Sequence, residues 1–477
     1  MTNLYKNQAV LACYANDNDA FVPELWAHEG LAILEENMVA ASLVHRDFSM
    51  EVANFGDVVN TRRPGVFKTK RRVDGDTIVS QDAAATNVQV PLNQHFYISF
   101  TISDGEASKS FQDLVQIYLL PGMQGIARGV DRSILGQVHK FLPNVVGKLR
   151  GLTSANAKDT ILEARETLNK NLAYPQGRNM VLAPGAETAM LQTELFIAAM
   201  QRGDGGAALR EASLGRVLGF DTYMDQNTPA AIASSADIAV GTVTSVAAAG
   251  TTGNQAVTIV GVNAASANIG SFCVMEDNGQ PTVVVAATGT ADPNTTGVTL
   301  DAALKYGVSA LSHVSLYLSC VVGSVDYAYG YSKGVAVKSY TAQKPPQVGQ
   351  LIAFGTGVNR HTYTIIEAYA EVVDGGTYVL WLDRPLDKPV ANGAAAFPGP
   401  VGTYNLALHK DALALVSRPL ALPNTAMGVR SQVANYNDIA MRVTMQYQIA
   451  AQGTVVTLDL LAGIALLDAR LGCVILG

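Results

Sequence analysis

NVQVPLNQHFYISFTIS, residues 87–103, changes phase in its middle. Val88, Val90 and Leu92 alternate with polar residues; beyond Asn93-Gln94-His95, Phe96, Ile98, Phe100 and Ile102 alternate again. A period of two puts one set of side chains on one face of a strand, so the stretch predicts extended limbs separated by a register slip. His95, in the slip, reads either as a pH-sensing contact or as polar filler, and the filler is the simpler account. Upstream, VANFGDVVNTRRPGVFKTKRR (52–72) and VDGDTIVSQ (73–81) supply an opposing limb and a turn-rich connection. Residues 55–103 therefore predict a long β-hairpin ribbon. Two strands cannot cover their own apolar face. The ribbon must lie on its parent chain or on another copy.

On either side of the ribbon the period becomes helical. In 107–142, Phe111, Leu114, Val115, Tyr118, Leu119, Ile126, Val130, Ile134, Val138 and Phe141 recur at three and four, predicting a long helix kinked or interrupted at Pro121-Gly122. In 20–46, Leu25, Leu31, Leu34, Met38 and Leu43 predict two short helices broken at Gly30, closer to an arm than to a core. A helix over 157–172, a buried strand RNMVLAP (178–184), a helix opened by Pro184-Gly185 and a strand in GRVLGFDTYMDQ (215–226) make an α/β section. Near residue 230 the texture changes. From Ala230 to Leu300 there are four acids (Asp237, Glu276, Asp277, Asp292) and no Lys or Arg, with short apolar runs between Gly, Asn and Thr clusters. Asp277-Asn278-Gly279 and the DGG at 374–376 read as hairpin turns. Residues 231–402 thus predict an inserted all-β domain, or two small ones, before strands resume to the end.

The chain has 477 residues, formal charge −7, and 15% charged residues, so either much of its surface meets protein or its wet faces rely on Ser, Thr and Asn. Cys13, Cys273, Cys320 and Cys473 are scattered, without zinc-ligand spacing, and read as reduced structural thiols. The first residues lack a basic segment followed by an apolar run, and the charge-free stretch 307–325 reads as buried strands instead of a membrane span. No P-loop, GxGxxG, HExxH, EF-hand or GxSxG motif is present. No enzymatic activity, cofactor or metal is expected.

The order is arm helices, ribbon, long helix, α/β section, β insertion and returning strands. It resembles the major capsid (coat) proteins of tailed bacteriophages, which have the Hong Kong 97-type (HK97-like) fold. RNMVLAPGAETAM, GRVLGFDTYMDQNTP and LDLLAGIALLDARLGCVIL carry the local likeness, and an insertion near Asp225-Gln226-Asn227 resembles the short-tailed-phage coat proteins, whose insertion is a small β barrel. The resemblance implies an α+β fold divided as N-terminal arm (1–54), extended β-hairpin loop (55–103), spine helix and peripheral domain (104–150), first part of the axial domain (151–230), inserted β domain (231–402) and axial/peripheral return strands (403–477). It also implies pentamers and hexamers of the chain in an icosahedral shell around double-stranded DNA. Location would be the virion capsid, assembled in host cytoplasm with no membrane; partners would be a scaffolding protein, a portal and a decoration protein. No motif places the Lys–Asn crosslink that one variant of the family makes. An encapsulin-like nanocompartment and a β-rich glycan-binding adhesin are the alternatives; the insertion argues against the first, and the long helix and missing export signal against the second.

RRPGVFKTKRR, residues 62–72, carries Arg62, Arg63, Lys68, Lys70, Arg71 and Arg72 on this acidic chain. Three readings compete: a nucleic-acid patch, an idle solvated run, or a contact with acidic surface on a neighbouring copy. Phe67 is its only ring, which leaves no stacking platform for single strands. Subunit contact is favoured, with Glu24, Glu29, Glu35, Glu36, Asp104, Glu106 and Asp113 as candidate acceptors.

Overall fold

The computed structural model describes residues 27, 30–34, 38–47, 58–63, 69–72, 74, 77, 86–104, 118–147, 152–197, 212, 214–230, 239–243, 245–246, 256–260, 272–277, 280–291, 295–300, 313–317, 320–323, 325–338, 346–355, 361–370, 377–398, 402–423, 429–436 and 438–477. Strands dominate a mixed α/β architecture. The chain forms two compact units: Met1–Met38, His95–Gly129 and Ser417–Ala462 make the first; Val39–Gln94, Val130–Val416 and Gly463–Gly477 make the second.

In chain order, the elements begin with Val58–Arg63 (β1), Thr86–Pro91 (β2), Gln94–Ser103 (β3) and the helix Leu120–Leu135 (α1). Val145–Gly147 (β4), Ala157–Lys170 (α2), Arg178–Leu182 (β5), Pro184–Leu191 (α3), Arg216–Val217 (β6) and Phe220–Met224 (β7) follow. Next come Ala239–Val243 (β8), Ser245–Val246 (β9), Ala256–Val260 (β10), Phe272–Asp277 (β11), Gln280–Ala291 (β12), Thr295–Leu300 (β13) and His313–Tyr317 (β14). Cys320–Val322 (β15), Val335–Lys338 (β16), Leu351–Phe354 (β17), His361–Ala370 (β18), Tyr378–Leu382 (β19) and Ala395–Pro398 (β20) succeed them. Tyr404–His409 (β21), Leu413–Arg418 (β22), Val429–Tyr436 (β23), Ile439–Gln448 (β24), Gly453–Leu466 (β25) and Gly472–Leu476 (β26) complete the chain.

In the first unit, β23, β24 and β25 form an antiparallel meander, and β3 pairs with β25. The alternation in β3 behaves as expected: His95, Tyr97, Ser99 and Thr101 are exposed, while Phe96, Ile98 and Phe100 are half-buried and Ile102 is buried. Gly122, Gly125 and Gly129 fall at helical spacing on α1 and meet that apolar face. A Cβ at Gly125 would stand 2.8 Å from Ile98 Cδ1, and one at Gly129 3.2 Å from Phe96 Cδ1. Small residues thus let strand and helix approach closely. Pro121 is the second residue of α1, and Tyr118 and Leu119 immediately before it are π-helical. The expected Gly30 break is corrected. Gly30 is itself helical, like Ala27 and Leu31 to Leu34, and its missing side chain admits Met441 and Met123, whose Cε and Sδ would be 3.0 and 3.2 Å from a Cβ. Ala27, Leu31, Leu34 and Met38 are buried, so they pack as core and not as a free arm.

The second unit is built on a six-stranded sheet ordered β4-β26-β21-β5-β7-β6. Every residue of β5, β21 and β26 is buried, as apolar runs covered on both faces require. On one face α2 buries Ala157, Ile161, Ala164 and Leu168 against Val146, Met180, Leu182 and Ile475. Each such large aliphatic contributes about 1.5–3 kcal/mol by leaving water. Between β7 and β21 the chain forms the seven-stranded sheet β8-β14-β11-β12-β13-β10-β9 and the closed barrel β15-β16-β19-β18-β17-β20. Asp277 pairs with Gln280, giving the two-residue hairpin expected at Asn278-Gly279; the DGG at 374–376 lies outside the described residues. The chain between β7 and β21 begins and ends side by side. Ala230 bridges Thr403, and the Tyr404 N–H donates to Pro229 O at 2.9 Å.

Candidate functional site

The ribbon comes first. β1 and β2 pair from Val58↔Pro91 to Arg63↔Thr86. Val59 and Val90 lie opposite each other, both buried, and pack on Ala414, Val416 and Ala465. The base of the ribbon therefore finds its apolar cover on its parent chain. Along the inward face Val88 is only half-buried, and on the outward face Asn60 and Asn87, joined by an amide hydrogen bond of 3.0 Å, are exposed. Arg62 and Arg63 occupy the far end of β1, in register with Asn87 and Thr86. Lys70, Arg71 and Arg72 are exposed; Lys68 lies outside the described residues.

Of the candidate acidic acceptors, Glu24, Glu29, Glu35, Glu36, Glu106 and Asp113 also lie outside the described residues. Asp104 is exposed at the end of β3, where it accepts a 2.8 Å hydrogen bond from Tyr447 Oη, while its N–H donates to Gln452 O at 3.0 Å. This carboxylate is held by its own chain. His95 Nε2 stands 3.5 Å from Asp459 Oδ1, and Asp459 Oδ2 accepts from Arg442 Nη2 at 2.7 Å, so His95 stands beside a cross-strand Asp459–Arg442 pair. The break between β2 and β3 falls at Leu92 and Asn93, so of the expected slip Asn93-Gln94-His95 only Asn93 lies in it.

Two buried ionic centres escape sequence reading. The first joins the barrel to the 3-10 turn Gly136–Phe141 that follows α1. Asp383, fully buried just after β19, accepts from the Thr364 N–H (2.8 Å), Gln137 Nε2 (2.8 Å) and Arg384 Nη1 (3.0 Å). Thr364 Oγ1 donates to Gly136 O at 2.7 Å. Gly136 has to be glycine, since a Cβ there would lie 2.6 Å from Asp383 Cβ. Arg384 also donates to Asp387 Oδ2 at 2.7 Å and lies 4.3 Å over the Tyr363 ring. Burial raises the Asp383 pKa, against the pull of Arg384; burial also opposes the Arg384 charge, but Asp383 and Asp387 more than offset it, and its pKa is raised. Burial and then Arg384 hold His139 well below its ordinary value and push Lys140 down to about 8. A neutral His139 fits the geometry, with Nδ1–H donating to Gly136 O at 2.9 Å and Nε2 accepting from Arg384 Nη1 at 3.3 Å. The centre is a structural clamp, with no open reactive position.

The second centre holds the 3-10 turn Ala40–Leu43, whose own N-cap residue makes no side-chain cap. Asp131, on α1, supplies the cap: Val39 N–H donates to Oδ2 at 2.9 Å and Ala41 N–H to Oδ1 at 3.1 Å. Burial, and then the charge of Asp225, push the Asp131 carboxyl up to about 7. Asp225 is raised by its own burial; its Oδ1 accepts from the Asn227 N–H and Nδ2, and its Oδ2 has no partner among the described residues. A signal for Asp131 was present: it falls on the apolar stripe of Ala127, Ile134 and Val138, where a lone charge requires a partner.

Among the described residues no group of three or more His, Cys, Asp and Glu could hold a metal ion, and no helix is long and apolar enough to cross a membrane. No protein-family model matches the sequence, and no curated protein does. Solved structures similar to the chain include one titled "Mycobacterium phage Che8" at 12% identity and TM-score 0.41, over 92% of this chain and 90% of that one. "Capsid structure of the Cyanophage P-SCSP1u" is similar at 9% identity and TM-score 0.40, over 88% and 84%. "Asymmetric unit of bacteriophage PhiM1 mature capsid" is similar at 10% identity and TM-score 0.38, over 88% and 82%.

Proposed function

We propose that the chain is the major capsid protein of a tailed bacteriophage, tiling as pentamers and hexamers into an icosahedral shell around double-stranded DNA. The observation that carries this reading is the partial burial of the ribbon. Its base is anchored on the parent chain by Val59 and Val90, while Val88 is only half-buried, and Lys70, Arg71 and Arg72 are exposed. A half-covered apolar stripe ending in a cationic segment, on a chain of charge −7, suits a head-to-tail contact with the acidic surface of the next copy. The succession of ribbon, long helix, split α/β sheet and β insertion, with the domain limits drawn from the sequence, supports the same reading.

In this proposal the inserted β domain braces the subunit. The Asp383 clamp favours that role over outward display, because it ties the barrel to the turn that ends the long helix. Scaffolding, portal and decoration proteins are the partners such a shell requires, and the chain's net negative charge keeps an inner wall from gripping packaged DNA. Electron microscopy of the purified full chain tests the proposal: hollow polyhedral particles are expected, and discrete monomers or trimers at high concentration would refute it.

A further inference from the structure

The barrel has a pocket at one end. Phe354 and His361 are cross-strand partners at the last register position of β17 and β18, so both stand at the barrel mouth. Together with Gly355, Tyr363, Lys388, Pro389, Val390, Ala391 and Ala394 they line a cavity of about 310 Å³. Its floor is the barrel's own core: Phe354, Tyr363 and Val390 are buried, and the Phe354 and Tyr363 rings are tilted against each other with centroids 5.8 Å apart. Its polar groups are few. His361 Nε2 is buried without a hydrogen-bond partner among the described residues, and the Lys388 side chain lines the same space. A buried ring nitrogen left unmatched costs about 1–3 kcal/mol, which a ligand oxygen would recover.

The geometry points to a binding site for a small apolar carboxylic acid, its hydrocarbon body on Phe354, Tyr363 and Val390 and its carboxylate accepting from His361 Nε2–H and the Lys388 ammonium. The volume suits one or two fused rings or a short branched chain. The fixed charges agree. Burial and then Lys388 keep His361 below its ordinary value, with Arg384 acting the same way and Asp387 opposing, which favours the neutral ring, and its Nε2 tautomer offers the ligand a proton beside a cation. Inorganic anions would leave the carbon lining unused. A neutral apolar molecule would leave Nε2 unmatched.

The test uses the full chain and two probes of equal size, 2-naphthoate and 2-naphthylmethanol, in calorimetric titrations. Saturable binding of naphthoate, one per chain and tighter than about 1 mM, is expected, with the alcohol about tenfold weaker. His361→Leu should weaken naphthoate about tenfold and the alcohol by a smaller factor, since its hydroxyl accepts the same bond without the charge. Ala391→Trp, which fills the mouth from an exposed rim position without touching the core, should abolish both and carries the test should His361→Leu fail to fold. Equal affinity for acid and alcohol, no saturation, or indifference to these substitutions would overturn the inference. None of these outcomes depends on whether the chain builds shells.

Discussion

Replacing Asp131 with asparagine keeps the shape of the side chain but removes its proton equilibrium. In the folded chain burial and Asp225 push this carboxyl from 3.8 to about 7, so the fold favours the protonated form. The unfolded chain releases that proton earlier, near its ordinary value. Between these two values the native state binds more protons than the unfolded one, and stability falls as pH rises. A gap of about three pKa units corresponds to about 4 kcal/mol, fully lost above pH 7 and regained as pH falls toward 4. Asparagine carries no such penalty, but its single acceptor oxygen can serve only one of the Val39 and Ala41 N–H groups, and turning its amide toward the other costs about 1–3 kcal/mol. The variant should therefore be less stable than the parent near pH 4 and more stable near pH 8. Urea denaturation of the unassembled chain across that range, read as the difference between the two proteins, cancels the groups they share. A difference that stays constant within about 1 kcal/mol from pH 4 to 8 would show that Asp131 does not hold the proton. Because the two carboxyls interact, Asp225→Asn should shift the window downward without abolishing it.

Three further outcomes are expected. Asp383→Ala strands a buried Arg384, the Gln137 amide and the Thr364 N–H, and should cost about 3–5 kcal/mol in chemical denaturation; a loss under about 1 kcal/mol would deny the clamp its role. Reversing Arg62, Arg63, Arg71 and Arg72 to glutamate should impair particle formation in electron micrographs while circular dichroism of the subunit stays unchanged; normal particles would remove the cationic segment from assembly. Gly349→Ala places a Cβ 2.5 Å from Ala230 N at a φ of +86°, and should lower stability by about 2 kcal/mol or more; an unaltered denaturation midpoint would contradict that crowding.

Much of this architecture is legible in the sequence wherever a pattern repeats within one element. Phe96 to Ile102 reveal β3 because a strand buries alternate residues, and Ile161, Ala164 and Leu168 reveal α2 because a helix buries every third or fourth. Gly30 misleads for a local reason: a glycine that admits a neighbour's methionine looks the same as one that breaks a helix. The closure of one part of the insertion into a barrel, beside an open sheet, depends on which strands pair across long separations, and composition does not encode that. The Asp383 clamp is hidden for the same reason, since Gln137, Thr364 and Asp383 come from three distant places in the chain. The ribbon's tip chemistry was visible at once as a cluster of charges; the partial burial of its base required coordinates.

The bridge between Ala230 and Thr403 has an evolutionary consequence. A segment that leaves and rejoins its sheet at one residue pair can be lengthened or trimmed while β7 and β21 stay where they are. The freedom is bounded by the far anchor. A substitute module must bring its own answer to the Gln137 amide and the Gly136 carbonyl, or leave them dry and unmatched. Variation should therefore be least tolerated around the aspartate that moors the barrel.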